Sequence, residues 1–310
     1  MKIVFMGTPD IASGVLKELI SSEHEILCVV TQPDKPNGRG NEITFSPVKK
    51  LAMENGIEVL QPQKASAPEF EEKLKEYAPD IIVVVAFGQI LKKNILELAK
   101  YGCVNVHASL LPKYRGASPI QWAVINGEKE TGITIMQMDP GIDTGDIILQ
   151  EKIELAPDET AGSLFDRLTD LAGPVLLKAL SLIEEGKAVF IPQNSDEATY
   201  VSMLKKSMGR LDFSFKAIEI ERLIRGLIPW PGAYTFINGK MLKIWKTCVA
   251  GAEENVKAEP GQIRIKDNAL FIGTGEGTLE ILELQMEGKK RMPAYDFLRG
   301  AAITDGEYTG

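Results

Sequence analysis

Apolar residues recur along this chain with two different periods. Residues 2–6, 25–30, 80–86 and 102–106 are short runs dominated by apolar and β-branched residues, with the longest unbroken apolar run from Ile81 to Phe87. That is the pattern of a central parallel strand covered on both faces. Between them, residues 11–20, 47–55 and 68–77 carry apolar residues at helical spacing. The last two segments have Pro near the start, where its missing N–H is tolerated. Strands alternating with helices predict an open, mostly parallel α/β sheet. A further helix is expected near 120–126, then strands at 132–138 and 146–153. The turn-dense Asp139-Pro140-Gly141-Ile142-Asp143-Thr144-Gly145 joins those two strands, and a long helix follows over 161–185. From about residue 190 the texture changes. Residues 191–200 are polar and without period. One helix (215–227) and short runs at 234–237, 242–249, 262–265, 269–272 and 278–284 follow, separated by turns such as Asn238-Gly239. Such spacing predicts a small antiparallel barrel or sandwich. The expected division is a domain over 1–189, a linker over 190–205, and a smaller β-barrel (OB-like) domain over 206–310.

Length and composition agree with two globular domains: 310 residues, 44% hydrophobic and 25% charged. No apolar run approaches the roughly 18 residues of a membrane span. The amino terminus enters a strand pattern directly, with no room for a signal-peptide cleavage region. Cys28, Cys103 and Cys248 lie in apolar runs without metal-type pairing and read as buried free thiols of a reducing compartment. A soluble cytoplasmic protein is expected. The net charge of −8 resides wholly in residues 1–189, which carry 19 Lys+Arg against 27 Asp+Glu; residues 190–310 carry 16 of each. Basic clusters at Lys205-Lys206, Arg222 with Arg225, and Lys289 with Arg291 leave room for a local face that recognises a polyanion.

Ligands of open α/β sheets bind beyond the carboxyl ends of the strands. After the first strand comes Gly7-Thr8-Pro9-Asp10, which lacks the dinucleotide glycine pattern, and no phosphate-binding Gly-x-x-x-x-Gly-Lys-Ser/Thr occurs. Of the two histidines, His24 sits between Glu23 and Glu25 and reads as a solvated turn residue. His107 closes an apolar strand and shares a face with Asn105, two residues back. Asp143 lies in a Gly-rich turn that can bring its carboxylate to the same strand ends. Asp139 and Asp146 read as turn formers. A carboxamide, an imidazole and a carboxylate suit acyl transfer without a covalent nucleophile. The first two donate to a developing oxyanion, and the carboxylate supports a charged imidazole and proton movement. No Gly-x-Ser-x-Gly elbow competes, and two distant histidines with scattered cysteines argue against a metal site.

The stretch Val104-Asn105-Val106-His107-Ala108-Ser109-Leu110-Leu111-Pro112-Lys113-Tyr114-Arg115-Gly116 resembles the signature of the folate-dependent formyltransferases. Thr131-Gly132-Ile133-Thr134-Ile135-Met136-Gln137-Met138-Asp139 and Gly141-Ile142-Asp143-Thr144-Gly145 are similar to the same superfamily. The resemblance implies a doubly wound sheet, 10-formyltetrahydrofolate as formyl donor, Asn105, His107 and Asp143 as the catalytic set, and Ser109, Leu110, Leu111 and Pro112 lining the folate site.

The acceptor is suggested by Thr31-Gln32-Pro33-Asp34-Lys35-Pro36-Asn37-Gly38-Arg39-Gly40 and Ser46-Pro47-Val48-Lys49. These resemble the inserted loop of the branch that formylates methionine on initiator tRNA. The resemblance implies tRNA contacts from Arg39 and Lys35, a translation-initiation role, and a monomer. A guanidinium can fork onto phosphates or base edges. Asn41-Glu42 departs from the lysines usual there, which reduces non-specific phosphate attraction. Ala198-Thr199-Tyr200, Gly209-Arg210-Leu211-Asp212-Phe213 and Ile228-Pro229-Trp230-Pro231-Gly232-Ala233-Tyr234 are similar to second-domain segments. Lys206 aligns with a family lysine on the tRNA side, while Met203, Ser207 and Phe213 depart. Trp230 either stacks a base or packs between its prolines, and packing is the commoner use. The alternatives are a sugar-nucleotide formyltransferase with the same donor, and a non-catalytic tRNA- or folate-binding protein. The 31–40 loop argues against the first, and the complete Asn–His–Asp set against the second.

Overall fold

A computed structural model describes residues 1–37, 42–251, 254, 256–300 and 303–310. In chain order the first elements are β1 (Lys2–Gly7), α1 (Asp10–Ile20), β2 (Glu25–Val30), β3 (Lys35–Asn37), β4 (Glu42–Thr44), α2 (Pro47–Glu54), β5 (Val59–Leu60), α3 (Pro68–Tyr77), β6 (Ile81–Val85), α4 (Lys93–Leu96) and β7 (Cys103–His107). Then come β8 (Arg115–Gly116), α5 (Pro119–Ile125), β9 (Glu130–Gln137), β10 (Ile147–Glu154), α6 (Ala161–Glu184) and β11 (Tyr200–Val201). The last are α7 (Ala217–Gly226), β12 (Ala233–Ile237), β13 (Lys240–Val249), β14 (Ile263–Lys266), β15 (Ala269–Gly273), β16 (Thr278–Met286), β17 (Met292–Pro293) and α8 (Ala294–Leu298).

Contacts divide the chain into two units. The first comprises Met1–Pro119, Glu130–Glu154 and Phe165–Val201. Its sheet runs β10-β9-β7-β6-β1-β2-β5. The pairs β7·β6, β6·β1, β1·β2 and β2·β5 are parallel, whereas β9 pairs antiparallel with both β7 and β10. The chain leaves β1 toward β2 and β5 and returns to β6 on the other side. That reversal creates a topological switch point, with the carboxyl ends of β1, β6 and β7 side by side. Ile3, Val4, Phe5 and Met6 of β1 are all fully buried. Since alternate residues of a strand face opposite ways, helices must cover both faces. One face packs Val4, Met6, Ile82 and Val84 against Phe70 and Leu74 of α3 and Ile95 and Leu96 of α4. Helix α6 buries Leu168, Ala172, Val175, Leu176, Ala179, Leu180 and Ile183, an apolar stripe at helical spacing.

The loop over residues 31–46 contains the short antiparallel pair β3·β4, with Lys35 opposite Thr44. Its base is tied down. Thr31 and Ser46 hydroxyls are 2.9 Å apart, Gln32 Nε2 donates to Phe87 O (2.9 Å), and Lys49 Nζ pairs with Asp34 and donates to Gln61 Oε1 at 2.8 Å. Arg39 lies outside the described residues. His24 differs from expectation: it is only 9% exposed, with Nδ1 3.2 Å from the Met1 amine. Burial, then that ammonium, lowers its pKa, against the opposing pull of Glu184 and Glu23. The flanking glutamates suggested solvent, but the amino-terminal strand brings the amine to the ring.

The second unit comprises Ile120–Lys129, Leu155–Leu164 and Ser202–Gly310. Its antiparallel sheet runs β12-β13-β16-β15-β14, with β17 on β16. Residues 308–310 span the two edges: Thr309 N–H donates to Gly261 O (2.9 Å) beside β14, and Gly310 N–H to Phe236 O of β12 (3.0 Å). Helix α7 turns Ala217, Ile220 and Ile224 onto Ile244, Leu270, Ile281 and Leu284. Phe213, one of the departures from the family pattern, is part of this core at 6% exposure. Trp230 is 51% exposed, so about half of its surface is open to solvent. Among the described residues, no helix is long and apolar enough to cross a membrane.

Candidate active site

Strand β7 carries Asn105 and His107 on one face, at the carboxyl end of a buried parallel strand beside the switch point. Asn105 is 9% exposed and His107 6%, so both are held in a low-dielectric setting. Asp143 comes from the loop between β9 and β10, and its Oδ2 is 3.7 Å from His107 Nδ1. The same oxygen accepts the Gly116 N–H at 2.8 Å. Of the three residues implied by the resemblance, His107 and Asp143 therefore meet, and Asn105 shares the strand face of His107.

The turn is built tightly. Asp139 Oδ1 accepts the Gly141 N–H (3.0 Å) and the Thr144 hydroxyl (2.6 Å), the turn-forming role expected of it. A Cβ at Gly145 would stand 1.7 Å from Gln137 O, so only glycine lets the loop return to β9 this closely. Asp143 itself has φ of 52°, a left-handed conformation that Asp tolerates better than most residues at a cost of order 1 kcal/mol. The other side of the site needs glycine as well. Gly116 has φ of 100°, and a Cβ there would meet Val201 O at 2.6 Å.

Hydrogen bonding fixes how the imidazole is used. His107 Nε2 lies 2.9 Å from the Tyr114 carbonyl. A carbonyl only accepts, so Nε2 keeps its hydrogen and proton exchange falls to Nδ1, which faces Asp143. At 3.7 Å the Nδ1–Asp143 pair is an ion pair when the ring is charged, but too long for a hydrogen bond. When the ring is charged, its Nδ1–H is therefore left for a substrate atom. The Asn105 side chain makes no hydrogen bond among the described residues. A nearly buried carboxamide without a protein partner fits a site whose polar ligand completes it.

The Ser109–Pro112 segment is placed differently from a simple lining. Ser109 is fully buried and its hydroxyl donates to Lys113 O (2.8 Å), and Leu111 is 3% exposed. Leu110 and Pro112 are half-buried. Thr134 braces the segment: its hydroxyl donates to Ser109 O (2.6 Å) and accepts the Leu111 N–H (3.1 Å) and Gln150 Nε2 (2.9 Å). Lys35 is exposed on β3, and Lys206 is exposed in the second unit. Sequence reasoning missed the Gly116 N–H, the Tyr114 carbonyl and Thr134. The stretches at 104–116 and 131–139 contained these residues, but their roles arise from backbone groups or from pairing across the sheet.

Among the described residues, no group of three His, Cys, Asp or Glu is arranged to hold a metal ion. Burial pushes the Cys28 and Cys103 thiols up to about 12; burial with Glu280 pushes the less buried Cys248 up to about 11.

Residues 1–180 match the family model for formyl transferases, and residues 203–302 that for the formyl transferase C-terminal domain. The fold agrees with a solved N-formyltransferase from Helicobacter canadensis (in complex with folinic acid and dTDP-3-aminofucose). Its TM-score is 0.68 at 23% identity, covering 94% of this chain and all of that one. HypX from Aquifex aeolicus, in complex with tetrahydrofolic acid, superposes with a TM-score of 0.63 at 18% identity, over 100% of this chain and 50% of its own. These define the class as a two-part formyl transferase. The methionyl-tRNA formyltransferase of Agathobacter rectalis is 52% identical over 309 residues, 99% of both chains. That of Clostridioides difficile is 50% identical over 310 residues, the full length of both. The chain belongs to the methionyl-tRNA formyltransferase family.

Proposed function

We propose that this formyl-transferring enzyme takes its one-carbon group from 10-formyltetrahydrofolate and places it on the α-amine of methionine carried by initiator tRNA. Asn105, His107 and Asp143 act as the reacting set. The observation that carries the reading is the convergence at the end of β7. There the imidazole Nδ1 faces a carboxylate that a backbone N–H holds in place, and an uncommitted carboxamide shares the strand face of the imidazole. The folate, when bound, supplies a formyl group on nitrogen. The half-buried Leu110 and Pro112 offer apolar surface to it, and Ser109 and Leu111 hold that segment's shape.

The residues' work follows from charge. As an amine adds to a formyl carbon, negative charge grows on the formyl oxygen. The Asn105 carboxamide and His107 Nδ1–H donate to that oxygen in a site shielded from water. The Asp143 carboxylate stabilises the imidazolium and is the base within reach for the proton the amine must lose; the bond from the formyl carbon to the donor nitrogen then breaks, and that nitrogen leaves with the proton. Arg39 and Lys35 in the inserted loop and Lys206 in the second unit hold tRNA phosphates. Positioning of this kind lowers the barrier by several kcal/mol without contact to the reacting atoms.

The test is formylation of methionine charged on initiator tRNA, with elongator methionyl-tRNA and an amino-sugar nucleotide as alternative acceptors. Formylation of the initiator alone is expected. Reaction of the sugar nucleotide instead overturns the acceptor and leaves the fold reading intact. His107→Ala should lose at least ~10²-fold in rate with tRNA binding retained. Arg39→Ala should lower the tRNA-dependent rate and leave folate affinity unchanged, and loss of folate affinity there would contradict the loop's role.

A further inference from the structure

Behind the reacting groups, we propose that Gln193 is the positioning residue that holds Asp143 in place, and that buried Arg115 sets which way its carboxamide faces. The inference rests on Asp143 acting at the site as described above.

Gln193 lies in the aperiodic segment that follows α6. Its Oε1 accepts two hydrogen bonds from one guanidinium, from Arg115 Nε (3.1 Å) and Nη2 (2.8 Å). Its Nε2 donates to two backbone carbonyls, Asp143 O (2.9 Å) and Gly145 O (2.7 Å). A guanidinium can only donate and a carbonyl can only accept, so the amide has a single workable orientation. Both hydrogens and the acceptor oxygen of the carboxamide are thus committed. No other side chain of this length presents an acceptor at one corner and two donors at the other.

The two carbonyls bracket Thr144, in the turn where Asp143 takes up its left-handed backbone. Arg115 is 2% exposed, with Nη1 donating to the Tyr200 hydroxyl (3.0 Å) and its own backbone N–H bound to Thr199 O (2.8 Å). The next residue, Gly116, donates its N–H to the Asp143 carboxylate. One dipeptide therefore grips Asp143 at both ends: the Arg115 side chain reaches its backbone carbonyl through Gln193, and the Gly116 amide reaches its carboxylate directly. A turn that is strained at Asp143 and held at only one end would let the carboxylate swing away from His107. An error of about 1 Å there costs on the order of 10²-fold.

The experiment measures kcat and KM for initiator methionyl-tRNA and for 10-formyltetrahydrofolate in Gln193→Glu, Gln193→Leu, Asp143→Asn and the Asp143→Asn/Gln193→Leu double variant. Gln193→Glu keeps an acceptor for Arg115, so it should fold with unchanged circular dichroism. It also sets a carboxylate oxygen against two carbonyls. Both single Gln193 variants should lose roughly 10- to 10²-fold in kcat, with each KM within about threefold of the parent. In the double variant, losing Gln193 should cost less than about threefold beyond Asp143→Asn alone, because the residue it positions no longer functions. Losses that multiply would overturn the inference, as would a fully active Gln193→Leu beside a crippled Asp143→Asn. A fully active Asp143→Asn would overturn the site reading and this inference with it.

Discussion

Asp143→Asn isolates one quantity, the charge beside the imidazole. Asparagine is nearly isosteric, and its Oδ1 can still accept the Gly116 N–H now bound at 2.8 Å. The variant instead loses a full negative charge 3.7 Å from His107 Nδ1. The two side chains are 7% and 16% exposed, so the effective dielectric constant lies well below that of water. At about 20 the attraction across this gap is about 4 kcal/mol, and at bulk water's 80 it is about 1 kcal/mol. Only the part that grows as the imidazole becomes charged affects the rate, so kcat should fall by about 10- to 10³-fold. Folding should change much less. Exchanging a charge-assisted hydrogen bond at Gly116 for a neutral one costs about 1 kcal/mol, or roughly 2–4 °C in Tm for a unit of this size. Steady-state kcat with saturating folate and initiator methionyl-tRNA, together with a melting curve, reads both. A kcat within threefold of the parent would refute the electrostatic role. A fall in Tm above about 10 °C would show that Asp143 acts through folding and not through charge.

Three further outcomes follow from other sites. Lys49→Met strips the ammonium from Asp34 and Gln61 and leaves Phe45 without the cation 4.0 Å above its ring. It should cost about 1–2 kcal/mol by chemical denaturation and slow the tRNA reaction, because the base of the inserted loop is then less firmly held. An unaltered midpoint would show the pair contributes nothing. Because burial and the Met1 ammonium depress the His24 pKa, the folded state binds fewer protons than the unfolded chain below about 6.5. Its contribution is therefore fully present above that value and lost as pH falls toward the depressed folded value. The drop in Tm between pH 7.5 and 5.5 should be smaller in His24→Gln than in the parent, and an equal drop would contradict this. With thiols raised to about 12 at Cys28 and Cys103 and about 11 at Cys248, native protein at pH 7.5 should react with iodoacetamide on the order of 10²-fold slower than a free thiol. Three equivalents should react after denaturation, and rapid labelling of the native chain would refute the burial argument.

What the residue pattern could disclose follows from the range over which each feature is encoded. The helix expected at 68–77 and the strand at 25–30 appear with those boundaries, because periodicity and bounding turn residues are local signals. The antiparallel setting of β9 was not visible in its apolar run, which serves either direction equally well. Strand β5 has only two residues, too few to show a period. Asn105 and His107 were legible as a pair two positions apart at a strand end, and Asp143 by the glycines beside it. Arg115 and Gln193 were not: one stands in the 104–116 stretch with no role of its own, the other is an ordinary polar residue in a segment without period. Their contact joins residues 78 apart in sequence, and a buried guanidinium satisfied by a neutral amide has no local signature. His24 shows the reverse case, since its acidic neighbours pointed to solvent while a terminal amine brought from elsewhere set its environment. In the proposed site Asn105 and His107 sit at a strand end, and that end is predictable from the strand pattern. Groups that aim them are chosen by three-dimensional proximity alone, so the precision of this site depends on residues that only the folded structure identifies.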